Sequence, residues 1–134
     1  MKLIQIGNAK SGNFWLYRII QQILLEGGVE IKSFIKNQSI YDVAKGWKLS
    51  FSDQASVDNL MITPSQYYYR ISSILQMPIE KLDDYLAQTT HVWLQSPPCE
   101  LTAGALSKFE KIVYIVRDPR DMAISNSKYA FTPY

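Results

Sequence analysis

Cysteine occurs once in this chain, at Cys99, and histidine once, at His91. A single cysteine excludes an internal disulfide framework. One cysteine and one histidine together cannot supply the ligands of a structural zinc centre. No run of eighteen apolar residues is present, so no segment is long enough to cross a bilayer as a helix. The N-terminus carries one lysine and then a strand-like run, which is not a signal-peptide pattern. The formal charge of +2 is too small to argue for nucleic acid or a membrane surface. The expectation is a soluble protein of the cytoplasm, with no metal, no nucleic-acid partner and no membrane partner. What is present supports a real core: 47% of residues are hydrophobic against 19% charged. A chain of 134 residues is expected to form one domain. Aromatics are plentiful, with nine Tyr, five Phe and three Trp.

Periodicity organises the two ends of the chain well. Residues 2–6, KLIQI, read as a strand. From Gly12 to Glu26 the apolar residues Leu16, Ile19, Ile20, Ile23 and Leu24 repeat with helical spacing, and Gly27–Gly28 supply the stop. A short strand is expected over 29–35. The stretch 36–76 is the least legible; Ser65 to Leu75 suggests a helix with Tyr68, Ile71, Ile74 and Leu75 on one side. A second helix is expected to start at Pro78, with Ile79, Leu82, Tyr85 and Leu86 sharing a face. THVWL at 90–94 reads as a strand, and ELTAGALSKFE as a modest helix. IVYIV at 112–116 is a continuous apolar run, which suits a central parallel strand buried on both faces. Asp118-Pro119 then look like an N-cap and first helical residue of a helix running to about Tyr129. Alternating strands and helices predict a three-layer α/β/α sandwich with a short parallel sheet. The ending at FTPY, directly after a helix, is expected to be a cut rather than a natural close.

The chemistry sits in the first loop, GNAKSGN at 7–13. Glycines let the chain turn tightly, so that N–H groups converge on one oxyanion. The helix that follows adds its free N–H groups and the positive end of its dipole. Ser11 offers a hydroxyl and Lys10 a mobile positive charge. An ATP-binding loop reads GxxxxGK[ST]. Gly7 and Gly12 fit that spacing, but Asn13 and Phe14 stand where the lysine and the Mg²⁺-binding hydroxyl belong. A P-loop kinase is therefore the weakest reading. The residues equally fit an ordinary strand-to-helix turn with incidental glycines.

A second segment, KIVYIVRDPRDMAISNSKY, places Arg117 at the C-terminal end of a strand, the edge where open α/β sheets bind ligands. Ser125 follows eight residues later. Arg117 could grip a phosphate as a fork, with Ser125 donating to the same group. The plain alternatives are an ion pair of Arg117 with Asp118, Asp121 or a helix end, and a solvated serine.

Together the two segments resemble the sulfotransferases that use 3′-phosphoadenosine 5′-phosphosulfate (PAPS). The first family motif is matched by Lys10, Ser11, Gly12 and Trp15; the second by Arg117, Asp118, Pro119, Arg120, Asp121 and Ser125. Order, spacing and strand context agree over roughly 2–28 and 108–130. The resemblance implies a P-loop NTPase-like fold and a metal-free reaction. Lys10 would stabilise charge on the 5′-phosphate as the bond to sulfur breaks. Ser11, Gly12, Asn13, Phe14 and Trp15 would surround the 5′-phosphate and purine, with Trp15 suited to adenine or else a core aromatic of the first turn. Arg117 and Ser125 would hold the 3′-phosphate. Thr90-His91 resembles the family's strand-end histidine, which implies His91 as the base for an acceptor hydroxyl.

The sequence also departs from the family pattern. Asn13 and Phe14 replace two threonines common there, Thr89 stands where a lysine is common, and Val92 and Trp93 replace a frequent proline. The basic, Gly-containing C-terminal motif has no counterpart. Residues 1–134 are thus expected to be the N-terminal, PAPS-binding part of a sulfotransferase domain. The implied activity is in-line sulfuryl transfer to a hydroxyl or amine on a small-molecule or glycan acceptor, with self-association to cover an exposed sheet edge. The alternative is a nonenzymatic PAP- or PAPS-binding module or assembly domain of the same fold.

Overall fold

The computed structural model describes residues 1–131; the last three residues of the FTPY ending lie outside them. The strand expected at 2–6 forms as β1 (Leu3–Ile6). Its side chains alternate, as a strand's must. Leu3 packs under α1 (Asn13–Glu26) with Ile20 and Leu24, while Ile4 faces the opposite core with Leu60, Val92 and Leu94. That second core is closed by α3 (Leu82–Ala87) and α4 (Glu100–Leu106), through Leu82, Tyr85, Leu86 and Ala105. The result is a sheet between two helical layers, the α/β architecture that the alternating pattern predicts. A small satellite cluster gathers Ile35, Ala44, Ala55 and Ile71 around α2 (Ile40–Ala44).

Six strands make one sheet in the order β4 (Leu75–Ile79), β3 (Tyr67–Ile71), β2 (Asn59–Ile62), β5 (His91–Leu94), β1 and β6 (Lys111–Tyr114). β1 runs parallel to β5 on one side and to β6 on the other. β2 pairs parallel with β5. The strands β3 and β4 add an antiparallel extension, so the sheet is mostly rather than wholly parallel.

Four expectations are corrected. The segment 65–75 is not a helix. Tyr67, Tyr69 and Ile71 alternate onto one face of β3 and pack into the cores, while the turn at Ser72–Ile74 reverses the chain into β4. Its aromatic run favours a pleated strand over a helix. Pro78 does not start a helix; it lies in β4, where an edge strand tolerates a residue without N–H, and the helix begins at Leu82. Residues 29–34 form no strand and lead into a 3₁₀ turn at Ile35–Asn37. The IVYIV run does become a parallel strand, but at the sheet edge. Ile112, Tyr114 and Val116 are 54%, 59% and 77% exposed, so it is not buried on both faces. In α1 the buried stripe is Phe14, Tyr17, Ile20 and Leu24, and Ile23 faces out.

Candidate functional site

β1 and β6 are adjacent parallel strands whose C-terminal ends lie in register, Ile6 opposite Tyr114. The loop at 7–12 leaves the first tip and Arg117 leaves the second, so the two motifs, over a hundred residues apart in the chain, arrive at one edge. Arg117 Nη1 donates to the Lys10 carbonyl at 2.8 Å. The second motif then enters α5 (Pro119–Phe131), whose start is held as the sequence suggests: Asp118 Oδ1 accepts the Arg120 N–H at 2.9 Å. The Arg120 guanidinium pairs with Asp118 and holds its carboxyl below the usual carboxylate range. Arg117 is thus not paired with Asp118.

The loop itself is folded by its own polar groups. Ser11 Oγ and Asn13 Nδ2 both donate to the Asn8 carbonyl, the latter at 2.7 Å. Positive φ at Lys10 (62°) and Gly12 (91°) curls the backbone into the type of turn that gathers N–H groups on one side. Gly7 is required for close approach, because a Cβ there would overlap Asn13 Oδ1 and Ile115 Cγ2. The first turn of α1 has no side-chain cap and no acidic residue, so its leading N–H groups keep their affinity for an anion. The Ser11 hydroxyl and the Asn13 amide nitrogen are buried and spent inside the loop, while Asn13 Oδ1 is buried without a partner. An anion here would be held by backbone N–H groups, by Lys10 and by Arg117.

Phe14 and Trp15 divide between core and surface. Phe14 is buried and stacks on Phe51 at 4.5 Å, whereas Trp15 is 67% exposed beside the loop and so not a core aromatic. Ser125 lies on α5 one turn beyond Met122 and one turn before Tyr129, half-buried. Both neighbours face the loop. Met122 lines a crevice of about 180 Å³ with Asn8, Ser11 and Arg117, and the Tyr129 ring lies under the Lys10 ammonium at 3.9 Å. The helix face carrying Ser125 therefore turns toward Lys10 and Arg117.

His91 is the exception among the expected site residues. It is the first residue of β5, paired with Leu3, and so lies at the opposite end of the sheet from the loop. It is 1% exposed and stacks on Tyr17 at 4.2 Å. Both ring nitrogens are engaged. Gln5 Nε2 donates to the Asn13 carbonyl, which leaves Gln5 Oε1 to accept from His91 Nε2–H at 3.1 Å. Gln21 Nε2 donates to His91 Nδ1 at 2.9 Å. Burial pushes the imidazole down to about 3, so it is neutral and has no free lone pair. A base that takes an acceptor proton must reach that proton; here the His91 ring is enclosed by Tyr17, Gln5 and Gln21. The crevice end of β5 leads instead into Gln95 and Ser96.

Sequence reading missed two further groups. Tyr129 belongs to no motif, but its spacing of four from Ser125 could have placed it on the same helix face. Asp58 is 2% exposed beneath α1, where its Oδ1 accepts the Ile35 N–H at 2.9 Å and its own N–H donates to the Tyr17 hydroxyl. Burial pushes its carboxyl up to about 7, against the opposing pull of the Ile35 N–H, Ser33 and Lys36. Nothing local in the sequence announces this burial.

A mostly parallel α/β sheet with a glycine-bearing loop, an open helix N-terminus and two cations at one strand edge is a phosphate-loop-like α/β fold. The family model described as sulfotransferase domain matches residues 2–133, and the chain belongs to that family. No curated protein and no solved structure matches it. Among the described residues no helix is long and apolar enough to cross a membrane.

Proposed function

We propose that this chain is the N-terminal, PAPS-binding part of a sulfotransferase domain. The observation that carries the reading is the junction of Arg117 with the Lys10 main chain at neighbouring strand tips. One bisphosphorylated adenosine could then be held at both ends. The backbone N–H groups of Gly12, Asn13, Phe14 and Trp15 and the Lys10 ammonium would take the 5′-phosphate. The exposed Trp15 indole would offer a face to adenine. Arg117, released from the Lys10 carbonyl, and Ser125 would take the 3′-phosphate, which separates PAPS from ordinary adenine nucleotides.

In the reaction, the acceptor hydroxyl or amine attacks sulfur while the bond to the 5′-phosphate oxygen breaks in line. Negative charge builds on that oxygen, and the role of Lys10 is to meet it. The acceptor is a small molecule or a glycan, and the setting is the cytoplasm. The exposed β6 edge supports self-association.

Isothermal titration tests the nucleotide site. Heat on adding PAP, the desulfated product, and none with ATP–Mg²⁺ is expected; the reverse pattern rejects the reading. One observation favours a second reading, a PAP- or PAPS-binding module without catalysis: the sole histidine is buried away from the loop. PAP binding without sulfate transfer to a panel of hydroxyl and amine acceptors would select it.

A further inference from the structure

Lys10 is held at both ends by the unit that follows β6. Its carbonyl accepts from Arg117, and its ammonium lies 3.9 Å from the centre of the Tyr129 ring. Between these two points its backbone is left-handed, with φ 62°. A lysine gives up considerable rotamer freedom when its ammonium is fixed. The face of an aromatic ring offsets part of that cost, because its quadrupole attracts the cation without neutralising it. A carboxylate in the same place would compete with an incoming phosphate; a ring does not.

We propose that Tyr129 is a positioning residue for Lys10: its ring holds the ammonium between α5 and the loop, so that the charge is already oriented when a nucleotide 5′-phosphate binds. The inference rests on the reading of Lys10 as a phosphate-binding lysine, and it adds a residue outside both sequence motifs. The ring, not the hydroxyl, performs the task. Phenylalanine should therefore serve in its place, and an aliphatic residue should not.

The test uses the whole chain with Tyr129→Phe and Tyr129→Leu. Acetylation of Lys10 by an N-hydroxysuccinimide ester is followed by mass spectrometry, with the other lysines as internal controls. PAP affinity is measured on the same samples. In Tyr129→Leu, Lys10 is expected to react about three-fold faster, the size of shift an exposed cation–π contact supplies. The other lysines should keep their rates, and PAP affinity should fall by a similar factor. Tyr129→Phe should match the parent in both measurements. If all lysines accelerate together, the variant has unfolded, and Tyr129→Gln, a ringless helix former, takes its place. Unchanged Lys10 labelling in a folded ringless variant overturns the proposal, as does equal acceleration in the Phe and Leu variants. Selective acceleration with no PAP binding by the parent would keep the contact between Tyr129 and Lys10 and reject the nucleotide reading.

Discussion

Two polar clusters flank α1, and they differ in every property that matters for function. At the C-terminal edge of β1 and β6, Lys10 and Arg117 are cations with access to solvent, and their partners are a ring face and a backbone carbonyl. Toward the other end, His91, Tyr17 and Asp58 are buried and stacked or hydrogen-bonded. The second cluster contains buried groups with perturbed proton affinity, which usually draw attention first. Here those shifts come mainly from burial, and Tyr17 and Asp58 line a separate pocket of about 410 Å³, away from the β1–β6 edge. A titratable residue belongs to a reaction only when a substrate can reach it. The cluster with open geometry is the better candidate.

The sharpest way to break this contrast is at Lys10. Lys10→Ala should lower sulfate transfer from PAPS by about a hundred-fold or more, the scale of losing one group aimed at developing charge. Thermal stability should stay near the parent's. Arg117→Ala comes next. It should weaken PAP by a factor on the order of ten to a hundred while leaving adenosine 5′-phosphate affinity nearly unchanged, as expected for loss of a charged hydrogen bond to one phosphate. Equal losses for both nucleotides would mean that Arg117 only shapes the loop.

His91→Gln probes the other cluster. It should cost roughly 1–2 kcal/mol in denaturant unfolding, since the Gln5 and Gln21 amides lose well-placed partners. PAP affinity should move less than two-fold. A large loss of transfer activity with stability intact would restore a catalytic role to the histidine.

The smallest effects are in the pH dependence of stability. The His91 pKa is lowered in the folded state, so its neutral, buried form is stable above the unfolded value of about 6.5. That contribution is lost as pH falls from there toward about 3. The Asp58 pKa is raised to about 7, so the folded state favours its protonated form. The resulting stability is full below the unfolded value of about 4 and is lost as pH rises through 7. Melting curves of the parent should therefore decline from pH 6 to 8.5, and Asp58→Asn should flatten that decline. A parallel decline in both proteins would assign it to other groups.

Legibility in the sequence followed the range of the interactions. The first strand, the loop and α1 depend on neighbours within about one turn, and they were readable as spacing. The Asp118-Pro119 helix start was readable for the same reason, and its cap bond is present. The hairpin at 67–79 was misread because Tyr68, Ile71, Ile74 and Leu75 mimic a helical period. The competing period of two, in Tyr67, Tyr69 and Ile71, was also present and is the one that packing selects. The IVYIV run promised burial, but apolar composition does not say how many sheet neighbours a strand will have; β6 has one.

His91 shows the same limit at a single residue. Thr90-His91 resembles a strand-end pair, yet the histidine opens β5 instead of closing it, and strand direction decides which sheet edge a residue meets. By itself, then, the amino-acid sequence determined the phosphate-type loop, the family motifs and the sites of the principal helices, because glycine conformation, capping and apolar period act locally. Only the tertiary structure decided that Lys10 and Arg117 meet, that Tyr129 lies under the lysine, and that His91 and Asp58 are buried beneath α1. Those outcomes depend on strand order and register, which join residues far apart in the chain.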